Sequence, residues 1–274
     1  MGQSTAITPE QRDEFTRRGV LRIEGLLSEA GVRRARETVL RRLEQLGLWR
    51  DGAWRLGEWP KPQWPSSGVK TSKVIGNRHP ALEALSQEPR LRAIVDELLG
   101  GRAFDRKIHP RPQLLFTLPN IDAWVLPPHW HTDAPRLASG EPPGVQLFAC
   151  LDHVAPRAGA TLAIAGSHLL LNGRRHMRAK DLHRELGGEP FFRRIWSKRP
   201  LRWDDAEDLP RGAVHNISLE VVELTGAPGD GYLLDLRTLH SGAPNAGDQP
   251  RMMVTDRYIR GDLVREIAEA NGWR

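Results

Sequence analysis

From residue 111 onward the chain alternates short β-type runs with clusters of turn-forming residues, and that rhythm narrows its possible architectures. Strands are predicted near 112–118, 121–126, 145–152, 160–165, 219–225, 231–236 and 251–259. The breaks between them are Pro119-Asn120, Glu141-Pro142-Pro143-Gly144, Arg157-Ala158-Gly159 and Ala227-Pro228-Gly229-Asp230. Many short strands punctuated this way imply a sandwich, jelly roll or barrel. Residues 168–218 interrupt the rhythm with a basic, helix-leaning insertion, and no internal repeat or low-complexity tract is visible.

The N-terminal 110 residues read differently. Thr8-Pro9-Glu10-Gln11 supplies a capping threonine, a proline at the first helical position and a glutamine three residues after the cap, and Gly19 stops that helix. Val20–Ile23 reads as a short strand. Ser28 then caps a second helix whose apolar residues Val32, Ala35, Val39, Leu43 and Leu46 form one stripe. Residues 48–68 carry Trp49, Trp54, Trp59 and Trp64 among prolines and glycines, which predicts an irregular loop, either packed on the domain or covering a substrate. A further amphipathic helix is expected near 89–99. The organisation is therefore one domain over 1–274. It has a mostly helical part at 1–110 and a β core at 111–260 that carries the insert.

Composition excludes several classes. Apolar residues make up 39% and charged residues 27%, which is ordinary globular usage and not that of a disordered chain. No apolar run is long enough to span a bilayer, and the polar start lacks a secretory apolar region, so the cytoplasm is the expected compartment with no membrane partner. One cysteine, Cys150, precludes an internal disulfide framework or a multi-thiolate metal site, leaving ten histidines and the carboxylates as metal ligands. The net charge is +6, and 34 of the 40 basic residues are arginines. Nucleic acid or an anionic substrate would account for that surplus. So would a solvated surface, which the even spread of arginines favours.

Pro127-Pro128-His129-Trp130-His131-Thr132-Asp133 is the most informative stretch. Residues i and i+2 of an extended segment share a face, so His131 and Asp133 can converge on one point. A His-x-Asp pair with a distant histidine forms the facial triad of non-haem Fe(II) oxygenases. Alone, the tripeptide is equally compatible with a polar surface loop. Downstream, Gly229–His240 reads as a turn, a strand and a histidine at the strand's end. Arg251 follows eleven residues later, where an antiparallel return would bring a guanidinium beside the metal to grip a carboxylate.

Taken together, the motifs resemble the phytanoyl-CoA dioxygenase family of Fe(II)/2-oxoglutarate-dependent oxygenases, the group that includes ectoine hydroxylase. The similarity runs through the Thr-Pro-Glu-Gln helix and "RRGVLRIEGLLS", "WHTD", "GATLAIAGSH", "GDGYLLDLRTLHSGAPN" and "RMMVTDRYI", all in family order. It implies a mainly β fold with flanking helices around a double-stranded β-helix (jelly-roll, cupin-like) core. It also implies that His131, Asp133 and His240 ligate Fe(II) and that Arg251 pairs with the distal carboxylate of 2-oxoglutarate. By the same resemblance Lys73, Gln113, Thr117 and Phe148 match co-substrate-lining positions; ordinary strand packing or solvent exposure is the other reading of each.

Two points bear on the chemistry. Family members commonly place serine two residues after the distal histidine; here Gly242 stands there, with Ser241 beside it and Met253 two after Arg251. Asp133 is a carboxylate that related halogenases lack, which implies hydroxylation or another oxidation of an unactivated C–H bond, using O2 and releasing succinate and CO2. A basic, aromatic lid from residues 48–68 and from Arg193, Arg194, Trp196, Lys198 and Arg199 fits a small molecule with an anionic group beside an apolar portion, such as an amino acid derivative or secondary metabolite. An oxygenase acting on nucleic acid, a non-redox cupin-like metal protein and a silent binding protein are the alternatives. His129 shares parity with His131 and could meet substrate, whereas His168 reads as structural.

Overall fold

A computed structural model describes residues 6–55, 79–102, 112–119, 124–133, 141–171, 179–196 and 209–271. Lys73, Trp59, Trp64, Lys198 and Arg199 lie outside them.

Helix α1 (Pro9–Arg18) starts on the expected capping box: the Thr8 side chain accepts from the Gln11 backbone N–H, and the Gln11 side chain accepts from that of Thr8. It ends at Gly19, whose φ is +64°. A Cβ there would lie 2.4 Å from His168 Nδ1 and 2.8 Å from Thr238 Oγ1, so the position admits no side chain on steric as well as conformational grounds. Strand β1 (Val20–Ile23) follows, then α2 (Glu29–Gln45), which buries Val32, Ala35, Val39 and Leu43 along the predicted stripe.

The start of the tryptophan-rich segment is more regular than expected. β2 (Trp49–Arg50) and β3 (Ala53–Trp54) form a two-residue hairpin across Asp51-Gly52, both at positive φ. Asp-Gly is a favoured pair for that turn, and it sets the rings of Trp49 and Trp54 edge to face with centroids 4.8 Å apart. Helices α3 (Pro80–Ser86) and α4 (Pro89–Leu98) complete the N-terminal layer; only α4 was expected.

The core consists of two antiparallel sheets. β4 (Gln113–Thr117), β5 (Gly144–Cys150), β9 (Gly231–Asp235) and β11 (Arg251–Ile259) join β1 in the order β1-β9-β5-β11-β4. β6 (Thr161–Ala165), β7 (Arg211–Val214), β8 (Ile217–Glu223) and β10 (His240–Gly242) form the second sheet in the order β10-β6-β8-β7. This is the double-stranded β-helix, with helices outside, that the sequence implied.

Strand alternation sorts the apolar residues into three layers. Leu147, Ala149, Met252 and Val254 face outward and pack with the N-terminal helices. Phe148, Cys150, Tyr232, Leu234 and Met253 face inward, where they meet Ala163 and Ala165 of the second sheet. The second sheet's outer face, Leu162, Ile164, Leu219 and Val221, is covered from the insert. The insert's helices are α5 (Ser167–Leu170), α6 (Ala179–Leu186) and α7 (Pro190–Ile195), and Phe191, Phe192 and Ile195 of α7 are buried against that face.

Several expectations need correction. No strand spans 124–126; Trp124 and Leu126 are instead buried in the layer beneath the insert, and 121–123 lie outside the described residues. β7 falls inside the segment assigned to the insert. Its first three residues are exposed, so it has no apolar alternation to betray it, and it is held as an edge by a turn with His215 and Asn216 both at positive φ. β10 and the last helix, α8 (Val264–Asn271), were also unforeseen. Among the described residues no helix is long and apolar enough to cross a membrane.

Candidate functional site

His131 and Asp133 do not belong to a regular strand. They are fastened to the second sheet's end by the backbone: the N–H of His131 donates to the His240 carbonyl (3.0 Å), that of His240 returns to His131 (2.9 Å), and that of Asp133 donates to Leu236 (3.2 Å). This bridge puts the HxD segment opposite β10. It brings one ligand atom from each of His131, Asp133 and His240 within 4.8 Å of one another, the only such group of three among the described residues.

Each side chain is pre-set. His240 is buried, and its Nδ1 lies 3.1 Å from the Thr238 carbonyl, so Nδ1 carries the proton and Nε2 is left as the ligand atom, 3.6 Å from Asp133 Oδ2. Phe148 stands edge-on to His240 with ring centroids 5.5 Å apart. Desolvation, reinforced electrostatically by His240, pushes His131 down to about 4, so it is neutral at physiological pH. Burial alone would raise Asp133, but hydrogen bonding to His240 and the neighbouring Arg257 cation outweigh it and hold the carboxyl well below its usual range. Two imidazoles and a carboxylate are a donor set suited to a divalent transition metal.

Arg251 opens β11 in register with Thr117 on β4. β11 belongs to the first sheet and β10 to the second, so Arg251 reaches the interior from the opposite wall and not through a hairpin return from His240. Its side chain is buried, with Nε donating to the Gly159 carbonyl and Nη2 to Thr117 Oγ1, both at 2.7 Å. Nη1 is buried without a partner among the described residues. Among the described residues no carboxylate neutralises this guanidinium, and burial lowers its pKa to about 10. A buried cation with an unused donor calls for an anion. Asn245 steadies the approach: its Nδ2 donates to the carbonyls of Thr117 and Gln249 and its Oδ1 accepts from the Gly247 N–H.

Thr117 and Phe148 thus border the site, Thr117 through the arginine and Phe148 through the histidine. Gln113 is half-buried on β4, four residues from Thr117 and in register with Thr255. Ser241 cannot stand in for the serine absent at Gly242, because alternation sends its side chain to the face opposite His240. The predicted structural role of His168 is met: its Nε2 contacts the Thr16 carbonyl at 3.0 Å in the core. Cys150 is buried and its thiol is pushed up to about 12. His129 is exposed; partial burial, and after it the electrostatic influence of His129, lowers the pKa of His183 on α6. Beyond Arg251 lies a cavity of about 590 Å³ walled by Trp49, Trp54, Arg36 and Asp152, so the tryptophan hairpin stands at this end of the barrel.

Arg257 was missed by the sequence reading. Its Nε (2.8 Å) and Nη2 (2.6 Å) both meet Asp133 Oδ2. The available signal was parity: Arg251, Met253, Thr255 and Arg257 share the inner face of β11.

The family model for phytanoyl-CoA dioxygenase (PhyH) matches residues 15–253. No curated protein sequence matches the chain. Solved structures share the fold at low identity. The non-heme alpha-ketoglutarate-dependent carbocyclase SnoK from nogalamycin biosynthesis is 19% identical, with a TM-score of 0.58 over 97% of this chain and 94% of that one. EctD from S. alaskensis, crystallised with 2-oxoglutarate and 5-hydroxyectoine, is 18% identical, with a TM-score of 0.56 over 96% and 79%. The epimerase SnoN, in complex with Fe3+, alpha-ketoglutarate and nogalamycin RO, is 17% identical, with a TM-score of 0.53 over 92% and 82%. With a family model spanning most of its length and a jelly-roll core carrying a His-Asp-His cluster, the chain belongs to the phytanoyl-CoA dioxygenase family of Fe/2-oxoglutarate-dependent non-haem iron enzymes.

Proposed function

We propose that this single-domain protein is an Fe(II)/2-oxoglutarate-dependent dioxygenase that hydroxylates, or otherwise oxidises, an unactivated C–H bond of a small molecule in the cytoplasm. His131, Asp133 and His240 hold Fe(II), and Arg251 holds the distal carboxylate of 2-oxoglutarate. One observation carries the reading: the three converging ligand atoms share a barrel with a buried guanidinium that has no anionic partner among the described residues. Bound Fe(II) would supply O2 activation coupled to decarboxylation of 2-oxoglutarate to succinate and CO2.

The chain's own residues do the rest. Arg251 orients the co-substrate, with Thr117 and the Gly159 carbonyl fixing the plane of its guanidinium. The Thr238 carbonyl keeps His240 in the tautomer that turns Nε2 to the metal. Phe148 gives the site an apolar wall that keeps water from the reacting centre. The substrate we favour is an amino acid derivative or secondary metabolite with an anionic group, and the basic, aromatic insert supports this. His183 on α6 stacks with Trp196 (centroids 4.0 Å apart) within electrostatic reach of His129, two residues before the first ligand.

The test is to incubate the protein with Fe(II), 2-oxoglutarate and a metabolite pool under nitrogen, admit air, and follow succinate together with +16 mass shifts. Substrate-coupled succinate is expected from the wild type and from neither His131→Ala nor Asp133→Ala. Wild-type rates in either variant would remove the iron assignment.

A further inference from the structure

We propose that Arg257 is a positioning residue that makes Asp133 a one-oxygen metal ligand. The proposal rests on the reading of His131, Asp133 and His240 as a metal site, and it concerns a residue outside that ligand set.

A carboxylate on a short side chain can turn about its last torsion and offer a metal one oxygen or two. Two oxygens would consume a coordination position that a co-substrate and O2 need. Arg257 removes the choice. Its Nε and Nη2 both donate to Oδ2 of Asp133, at 2.8 and 2.6 Å, and both side chains are largely shielded from water. Two N–H groups of one planar guanidinium converge on that single oxygen and hold its position more tightly than one ammonium donor would.

The strand makes the arrangement stiff. Arg257 is paired in register with Gln146 of β5, and its own N–H is bonded to Asp256 Oδ1 at 2.9 Å. The guanidinium therefore projects from a strand paired to β5, just beyond the end of its pairing with β4, whereas Asp133 lies outside the regular strands on a segment bonded through its backbone to His240 and Leu236. The strand-borne partner positions the one outside the strands.

Outer-shell partners of metal ligands typically contribute about 10–100-fold to metal affinity. The experiment is a Co(II) titration of the metal-free protein, followed by the visible absorption of bound Co(II), with thermal melts as controls. It compares wild type, Arg257→Met, Arg257→Lys, Asp133→Ala and the Asp133→Ala/Arg257→Met double variant. Arg257→Met is expected to bind Co(II) about 10–100-fold more weakly with a shifted band. Arg257→Lys, which restores charge but not the two-donor plane, should fall between Met and wild type. In the Asp133→Ala background Arg257→Met should change nothing further. Wild-type affinity and band in Arg257→Met overturn the proposal, as does an equal weakening with and without Asp133, which marks a scaffold role. Should Arg257→Met fail to fold, a wild-type spectrum and affinity in Arg257→Lys overturns it equally. A wild-type protein that takes up no Co(II) removes the metal-site reading itself, an outcome distinct from variants that bind as well as wild type.

Discussion

The two ends of β11 carry the same residue in opposite electrostatic settings. Arg251, at the start, is held by neutral acceptors, the Gly159 carbonyl and the Thr117 hydroxyl, and keeps one nitrogen without a partner among the described residues. Arg257, six residues on along the same face, is neutralised by the carboxylate of Asp133. The first is the charge we propose to be met by the distal carboxylate of 2-oxoglutarate. The second has already spent its charge on a side chain, and what it can offer is orientation. Burying an ion is costly unless it is paired, which is why the end with no anionic partner among the described residues is the one we propose for the co-substrate.

Four variations sharpen this contrast. Asp133→Ala should act on both counts, by deleting a ligand and by stranding Arg257. Loss of substrate-coupled succinate should exceed the about 10–100-fold typical of outer-shell changes. Arg251→Gln should leave Co(II) binding near wild type and raise KM for 2-oxoglutarate on the order of 100-fold, since each hydrogen bond to a charged group contributes about 1.5–3 kcal/mol. Equal damage to Co(II) affinity would show that the two ends of the strand are not separable. Thr117→Val removes one of the two bonds fixing the guanidinium and should raise the same KM about tenfold. The smallest effect is that of pH. Arg251 is depressed from 12.5 to about 10, and a cation with a lowered pKa loses its charge as pH rises through that value. Binding of 2-oxoglutarate to wild type, measured by titration of the metal-loaded protein without O2, should be flat from about pH 7 to 9 and weaken only as pH approaches 10.

Much of the scaffold was legible because its signals are local. Thr8, Gln11 and Gly19 bracket α1 within a dozen residues, and the stripe Val32, Ala35, Val39, Leu43 is a period of one helix. The strands that were found have dense apolar residues and flanking turn chemistry. What escaped lacked such signals. β7 exposes three of its four residues, β10 is three residues long, and the Asp51-Gly52 hairpin was obscured by the prolines and tryptophans that follow it. In the candidate site, Arg251 was nominated by its spacing from His240 and by the family resemblance, yet the expected hairpin return is not the route by which it reaches the interior. The spacing is the length of a crossing from one sheet to the other.

By itself, then, the amino-acid sequence determined the kind of fold, the order of the motifs and the identity of the residues at its centre, because caps, periodicity and turn residues act between near neighbours. Only the tertiary structure decided how those residues are partnered. It set the Thr238 carbonyl against His240, the Thr117 hydroxyl against Arg251 and Arg257 against Asp133, 124 positions away. Hydrogen-bond direction and burial depend on which strands become neighbours across two sheets, and no interval along the chain encodes that.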